Sequence, residues 1–206
     1  MSDEKKGGLA LITANLAGMA TMALHPLPRE MADPHTRVLN VAVHALAMIS
    51  APLALTGGIA LARRTGSLSA VVFQGFALVA ALLATAMSGL VATALLQQSA
   101  PHELLLMTGA LNQAFSRTFA VGTSVALVLW SIAGWRGHSL PRSLALYGTV
   151  CGLLCAVFVF SGAPLDVHRF GALVLAQAIF FVWAGATLLA GPILVAGARH
   201  GEGGQV

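Results

Sequence analysis

Apolar residues run along the chain in six long stretches, at about residues 8–27, 37–62, 67–97, 104–134, 143–163 and 169–197. Each stretch reaches the ~20 residues that an α-helix needs to cross a hydrocarbon core of ~30 Å. The breaks between them are Pro26-Leu27-Pro28, Arg63-Arg64-Thr65-Gly66-Ser67, Ser99-Ala100-Pro101, the run from Gly134 to Pro141, and Ser161-Gly162-Ala163-Pro164. Proline, glycine, serine and charge at such points stop helices and turn the chain. The pattern predicts an all-α integral membrane bundle of six transmembrane helices. With no long linker and no low-complexity segment, residues 1–206 read as a single polytopic membrane domain. The first stretch is expected to be a retained helix, not a cleaved signal peptide, because His25-Pro26 at its end joins the polar layer described below.

Composition supports lipid as the solvent. Hydrophobic residues make up 57% of the chain and charged residues 9%, against about 25% charged in a soluble domain. The mean hydropathy of +0.84 points the same way. The chain is basic overall, yet its Lys and Arg residues sit at the ends of the apolar stretches, as topology signals do. No basic patch is interleaved with aromatic residues, so nucleic acid is not an expected partner. If the N-terminus is cytoplasmic, that side carries Lys5, Lys6, Arg63, Arg64, Arg136, Arg142 and Arg199, and the other side carries Arg29, Arg37 and Arg169. This imbalance predicts an N-in, C-in topology. A bacterial inner membrane, with the far side facing the periplasm, is the expected location.

On that topology the histidines are unevenly placed. His25, His35, His44, His102 and His168 map to the outer end, joined by Glu103 and Asp166, and only His138 and His200 map to the inner end. Counting about 20 residues per crossing from the inner end of each helix puts polar groups at a common height. They are His25, Asn40 with His44, Ser88, Asn112 with Gln113 and Arg117, Ser161, and Gln177. Polar side chains in a bilayer face the bundle interior and tend to mark function, while helix-to-helix hydrogen bonding is the plainer explanation. Pro34-His35, Pro101-His102, and Pro164 with His168 each precede an even-numbered helix at nearly even spacing. Three related helical hairpins would give that spacing, and chance accounts for it equally well.

Imidazole and carboxylate hold transition metals and haem iron and move protons. The leading expectation is a redox-active metal centre at the outer side, for electron transfer or oxidoreduction, with haem b ahead of copper and zinc as a further bare-ion option. The expected cofactor contacts are His25, His44, His168, Arg117, Asn40, Asn112 and Gln113. The expected metal-ligand set is His25, His44, His168, Asp166, His102 and Glu103. Arg117 would pair with propionates. Lipid is the expected surrounding, and other redox subunits or a second copy are the expected partners. If the protein is an enzyme, it would be a membrane-bound oxidoreductase, although no HExxH, GxSxG or phosphate loop names a reaction. The competing expectation is a metal-free transporter or binder of a small anionic or amphipathic molecule. There Arg117, Asn112 and Gln113 would hold the head group, and Pro52 with Gly57-Gly58 would break the second helix. Cys151 and Cys155, four apart on one helix, are poorly placed for a disulfide and read as packing residues.

Overall fold

The computed structural model describes residues 1–27 and 30–191. Among the described residues the chain is all-α. Six rods follow one another: α1 Asp3–Ala23, α2 Pro34–Thr65, α3 Leu68–Gln97, α4 His102–Arg136, α5 Arg142–Phe160 and α6 Val167–Ala190. Arg29, Arg199, His200 and the expected end of the sixth stretch, 192–197, lie outside the described residues.

Local chemistry sets the ends. The Asp33 carboxylate accepts from the Thr36 N–H at 2.9 Å and Pro34 follows at the first helical position, so α2 starts there. Gly66, at φ 72°, ends α2 in the left-handed conformation. Asp166 accepts from the Arg169 N–H at 2.9 Å and caps α6. Two ends fall short of expectation. α1 stops at Ala23, not 27, because Pro26 bars its predecessor from helical geometry. α5 stops at Phe160, not 163, where Ser161 and Gly162 (φ 77°) turn the chain. The expected break in α2 does not occur. The helix passes through Pro52 from Pro34 to Thr65, and Gly57 and Gly58 instead admit neighbouring side chains.

α2 to α6 are each long and apolar enough to cross a membrane. α1 is not among them. Asp3, Glu4, Lys5 and Lys6 fill its first four positions and Asn15 interrupts the rest. The outward faces carry large apolar side chains such as Phe76, Leu154, Val157 and Phe160, all well exposed. An exterior of this kind suits a hydrocarbon solvent and multi-pass insertion.

Consecutive helices pack side by side, and α6 returns against α1, closing a ring. Small residues make the close contacts. Gly7 faces Ala60, Gly57 faces Leu11, Gly8 lies against the Gly185 carbonyl, and Gly152 lies against the Ser124 carbonyl. Such pairs let helix backbones approach where apolar burial gives no net drive. At the N-terminal end one side chain ties four segments together. The Arg64 guanidinium pairs with Glu4 Oε1 at 2.7 Å and donates to the carbonyls of Ser139, at 3.2 Å, and Gly191, at 2.7 Å. The opposite end, where α2, α4 and α6 begin, is open, and the candidate site lies there.

Candidate functional site: a cavity at the histidine end

A cavity of about 510 Å³ opens at this end between α1, α2, α3, α4 and the start of α6. α5 contributes nothing to its wall. The cavity reaches from His25 and His168 at the mouth down to Gln74, Thr123 and Phe181. Along α6 the lining runs from Val167 to Phe181, a climb of about 20 Å at 1.5 Å per residue.

His44 sits on the buried face of α2, only 4% exposed. Its place depends on an irregularity in α3. Residues Ala86–Val91 form a π-helical stretch inside that rod. A stretch of this kind slackens the regular hydrogen-bond ladder and recurs at functional positions. Here Gly89 lies flat against His44. A Cβ at Gly89 would come within 2.7 Å of the His44 Cγ. The Ser88 carbonyl accepts from Asn40 Nδ2 at 3.1 Å, and the same nitrogen donates to Thr93 Oγ1 at 3.1 Å. Asn40 therefore fastens α2 to the irregular part of α3, one turn from His44, and does not line the cavity.

His25 follows the end of α1 and meets His44 edge-on, with ring centroids 4.9 Å apart and planes at 70°. Each ring spends one nitrogen on a backbone carbonyl: His44 Nδ1 on Asn40 O at 2.7 Å, and His25 Nδ1 on Pro26 O at 2.9 Å. A carbonyl only accepts, so both Nδ1 atoms carry the proton, and in the neutral rings both Nε2 atoms keep a free lone pair. This is the second-sphere arrangement that metal-ligating histidines use. Burial pushes the His25 pKa below its ordinary 6.5, with the Pro26 hydrogen bond opposing.

The other expected site residues divide into two groups. His168, Asp166, Asn112 and Gln113 line the same cavity as His25 and His44. Gln113 Nε2 donates to Leu165 O at 2.8 Å and ties α4 to the loop before α6. Arg117, His102 and Glu103 do not line it. Arg117 Nη2 donates to Ala163 O at 3.0 Å, fastening the α5–α6 loop. His102 and Glu103 stand exposed in the first turn of α4. Of the polar layer read from the sequence, Ser88 and Gln177 also reach the cavity, while Ser161 bonds back to Phe158 O at the exposed end of α5. Among the described residues no three His, Cys, Asp or Glu side chains come together as a metal site.

Much of the lining was not expected. Asn15, Ser50, Gln74, Thr85, Ser116, Phe119, Thr123, Phe170 and Phe181 complete it. Two of these hydroxyls turn back on the backbone, Ser50 on Ala47 O and Thr85 on Ala81 O, while those of Ser116 and Thr123 make no hydrogen bond among the described residues. Gln177, 2% exposed, donates through Nε2 to Ala120 O and to Ser124 Oγ, both at 3.1 Å. Cys151 and Cys155 are free and buried in α5, away from the cavity. Compared with known protein families, with curated proteins and with solved structures, the chain matches none.

Proposed function

We propose that this is a multi-pass membrane protein, N-in and C-in, that binds a small amphipathic molecule in a cavity open to the outer side. The cavity itself carries the reading: about 510 Å³, shared by five helices and walled mostly by carbon, with histidines at the mouth and a few polar side chains along the wall. Ligand sites of ~300–1,000 Å³ with few, placed polar groups are the usual form for small molecules. The six-span orientation rests on the Lys and Arg distribution, and α1 crosses as part of the ring through its packing on α2 and α6. Arg117, whose Nη2 donates to the Ala163 carbonyl and which does not line the cavity, is left out of the groups that would hold the ligand.

The test is direct. Protein purified in mild detergent is extracted, and bound small molecules are identified by mass spectrometry. Gly18 lines the cavity, and nothing lies within 4 Å of where its Cβ would be. Gly18→Leu therefore adds bulk to the ligand space from a Cβ that meets nothing. It is expected to lower occupancy at least about fivefold and leave stability within about 1 kcal/mol. An empty wild-type protein, or a Gly18→Leu variant that keeps full occupancy, defeats the proposal.

A second reading is a metal centre, and the His25–His44 pair favours it. Two imidazoles bound to one ion at about 2 Å, with a bond angle near 100°, bring ring centres to about 5 Å. Two axial imidazoles on a haem would stand more than about 6 Å apart. The pair at 4.9 Å thus suits a chelated copper or zinc ion, or a haem b held by His44 alone. His168 and Asp166 line the same cavity, but among the described residues they do not close with the pair into a group of three, so a bare ion would draw them in on binding. Metal analysis and an optical spectrum of the purified protein test this. A stoichiometric metal, or a Soret band, that His44→Ala abolishes supports the centre. Absence of both after reconstitution refutes it.

A further inference from the structure

The end of the bundle away from the histidines has a cleft of its own, about 510 Å³ in volume, between the start of α1 and the end of α2. Two of its lining residues, Gly7 and Ala60, are buried, and the helices touch there so closely that a Cβ on Gly7 would collide with Ala60. The charged lining residues are Asp3, Glu4, Lys6, Arg63 and Arg64. Arg64 is spent on Glu4 and on two carbonyls. Lys6 meets Asp3 at 3.4 Å, and both side chains are well exposed. Arg63 is exposed and makes no ion pair among the described residues. Three cations therefore line the cleft against two carboxylates, and one positive charge is left over.

Arg63 also ends an apolar stripe. Ile49, Leu53, Thr56 and Ile59 precede it at spacings of three and four, so all share one face of α2. All four are exposed, and Thr56 and Ile59 line the cleft itself. The Thr56 hydroxyl is spent on Pro52 O at 2.8 Å. From Ile49 to Ile59 the helix climbs about 15 Å, half of a ~30 Å hydrocarbon core, which is the depth of one leaflet. An apolar track one leaflet long that ends at a surplus cation has the layout of a phospholipid, acyl chain below and phosphate above. Basic pockets between transmembrane helices hold anionic head groups in this way. We infer that the cleft binds one anionic phospholipid, with its phosphate at Arg63 and an acyl chain along Ile49 to Ile59. A zwitterionic lipid would leave the surplus charge unmatched, and a free phosphate would leave the stripe unused. The inference rests on α1 and α2 lying side by side in the bilayer, as proposed above, and is independent of what fills the cavity at the histidine end.

The test offers the whole protein, in mild detergent, equal concentrations of phosphatidylglycerol and phosphatidylcholine with the same acyl chains, and counts retained lipid by native mass spectrometry. The wild type is expected to keep the glycerol lipid about fivefold over the choline lipid, the effect of one basic residue at an anionic head group. Arg63→Gln should bring that preference below about twofold. Arg142→Gln is the control, since Arg142 is exposed at the start of α5 and does not line the cleft, and it should leave the preference intact. Equal retention of the two lipids by the wild type, or equal losses in the two variants, overturns the inference. So does displacement of the bound lipid by a large excess of inorganic phosphate, which would make the cleft a site for a free anion. A preference that appears only when the chain is ended after Gly191 would give the cleft to residues 192–206 and overturn it likewise. All of these leave the membrane reading standing, whereas release of the protein from membranes by alkaline carbonate would remove both.

Discussion

Gly89→Ala offers the sharpest test of how the site is built. Alanine is a better helix former than glycine by about 1 kcal/mol, so with free space around it the change would stabilise α3. The space is not free. The new Cβ meets the His44 Cβ and comes within 2.7 Å of its Cγ and 3.3 Å of Nδ1. The Cβ of His44 is fixed to the α2 backbone and cannot swing aside, so α2 and α3 must separate. Overpacking of this kind costs about 1–3 kcal/mol. Gly109 and Gly75, also helical, have nothing within 4 Å of an added Cβ. Gly109→Ala and Gly75→Ala should then gain up to about 1 kcal/mol from propensity alone. Unfolding in mixed SDS and mild detergent, followed by circular dichroism, reads all three. The expected gap between Gly89→Ala and the two controls is about 1–3 kcal/mol, with ligand or metal occupancy reduced only in Gly89→Ala. Combining Gly89→Ala with His44→Gly should close the gap, whereas His44→Ala should close it only in part, because its Cβ remains. If Gly89→Ala is as stable as Gly109→Ala and keeps full occupancy, the apposition of Gly89 and His44 is wrong.

Arg64→Met removes the clasp at the N-terminal end. Arg64 is 8% exposed and serves Glu4, Ser139 O and Gly191 O, so the expected loss is about 2–4 kcal/mol by the same unfolding assay; a loss under about 0.5 kcal/mol refutes the role. Arg117→Gln should change ligand occupancy less than about twofold, since Arg117 bonds only the loop carbonyl of Ala163; a collapse of binding would restore it to the site. Stability should also depend on pH through His25, whose folded pKa is depressed by burial below 6.5. Between the two values the unfolded chain binds more protons, so the contribution is fully present above 6.5 and is lost as pH falls through the folded value. His25→Gln should flatten that part of the profile, and an unchanged slope would dismiss the assignment.

The sequence made the six rods and the end that carries the site legible, because apolar periodicity and punctuation act locally. α2 to α6 begin within about three residues of their expected starts. The meeting of His25 and His44 followed from counting rise per residue, which puts both near one height. What the count could not give was direction around each axis. Arg117 shares the height of Gln113 and was expected beside the ligand, yet it turns to the α5–α6 loop. His102 and Glu103 lie beyond the cavity mouth because α4, at 35 residues, runs well past its neighbours' packing. The π-helical stretch left no mark except Ser88-Gly89. The carbonyl it frees is taken up non-locally: Asn40, 48 residues earlier, donates to Ser88 O. Arg64 read as a topology charge, and its three partners, Glu4, Ser139 and Gly191, lie 60, 75 and 127 residues away in sequence.

A tally of hydrogen bonds then separates structural from functional polarity in this bundle. Polar side chains in an apolar surrounding bond to something, and most here bond to the protein. Thr21 reaches Val43 O, Asn40 reaches Ser88 O and Thr93, and Tyr147 reaches Ala176 O. Asn15 returns to Leu11 O on its own helix. The first three account for their presence through helix packing, and Asn15 through its own helix. The same reasoning leaves Gln177 Oε1 and the two histidine Nε2 atoms without a partner on residues that line one cavity, while the buried Trp130 Nε1, Ser131 Oγ and Ser139 Oγ are left unbonded away from it. Helix packing alone would select leucine at position 177, where the Nε2 bonds add only about 1 kcal/mol and the orphan oxygen returns it. A ligand that supplies the missing donor turns that balance favourable, so the sign of Gln177→Leu on stability should differ between the empty and the loaded protein. Neutral or stabilising when empty and destabilising when loaded is the expected pair of results. A variant that destabilises both states equally would mark Gln177 as a packing residue and leave the cavity to its histidines.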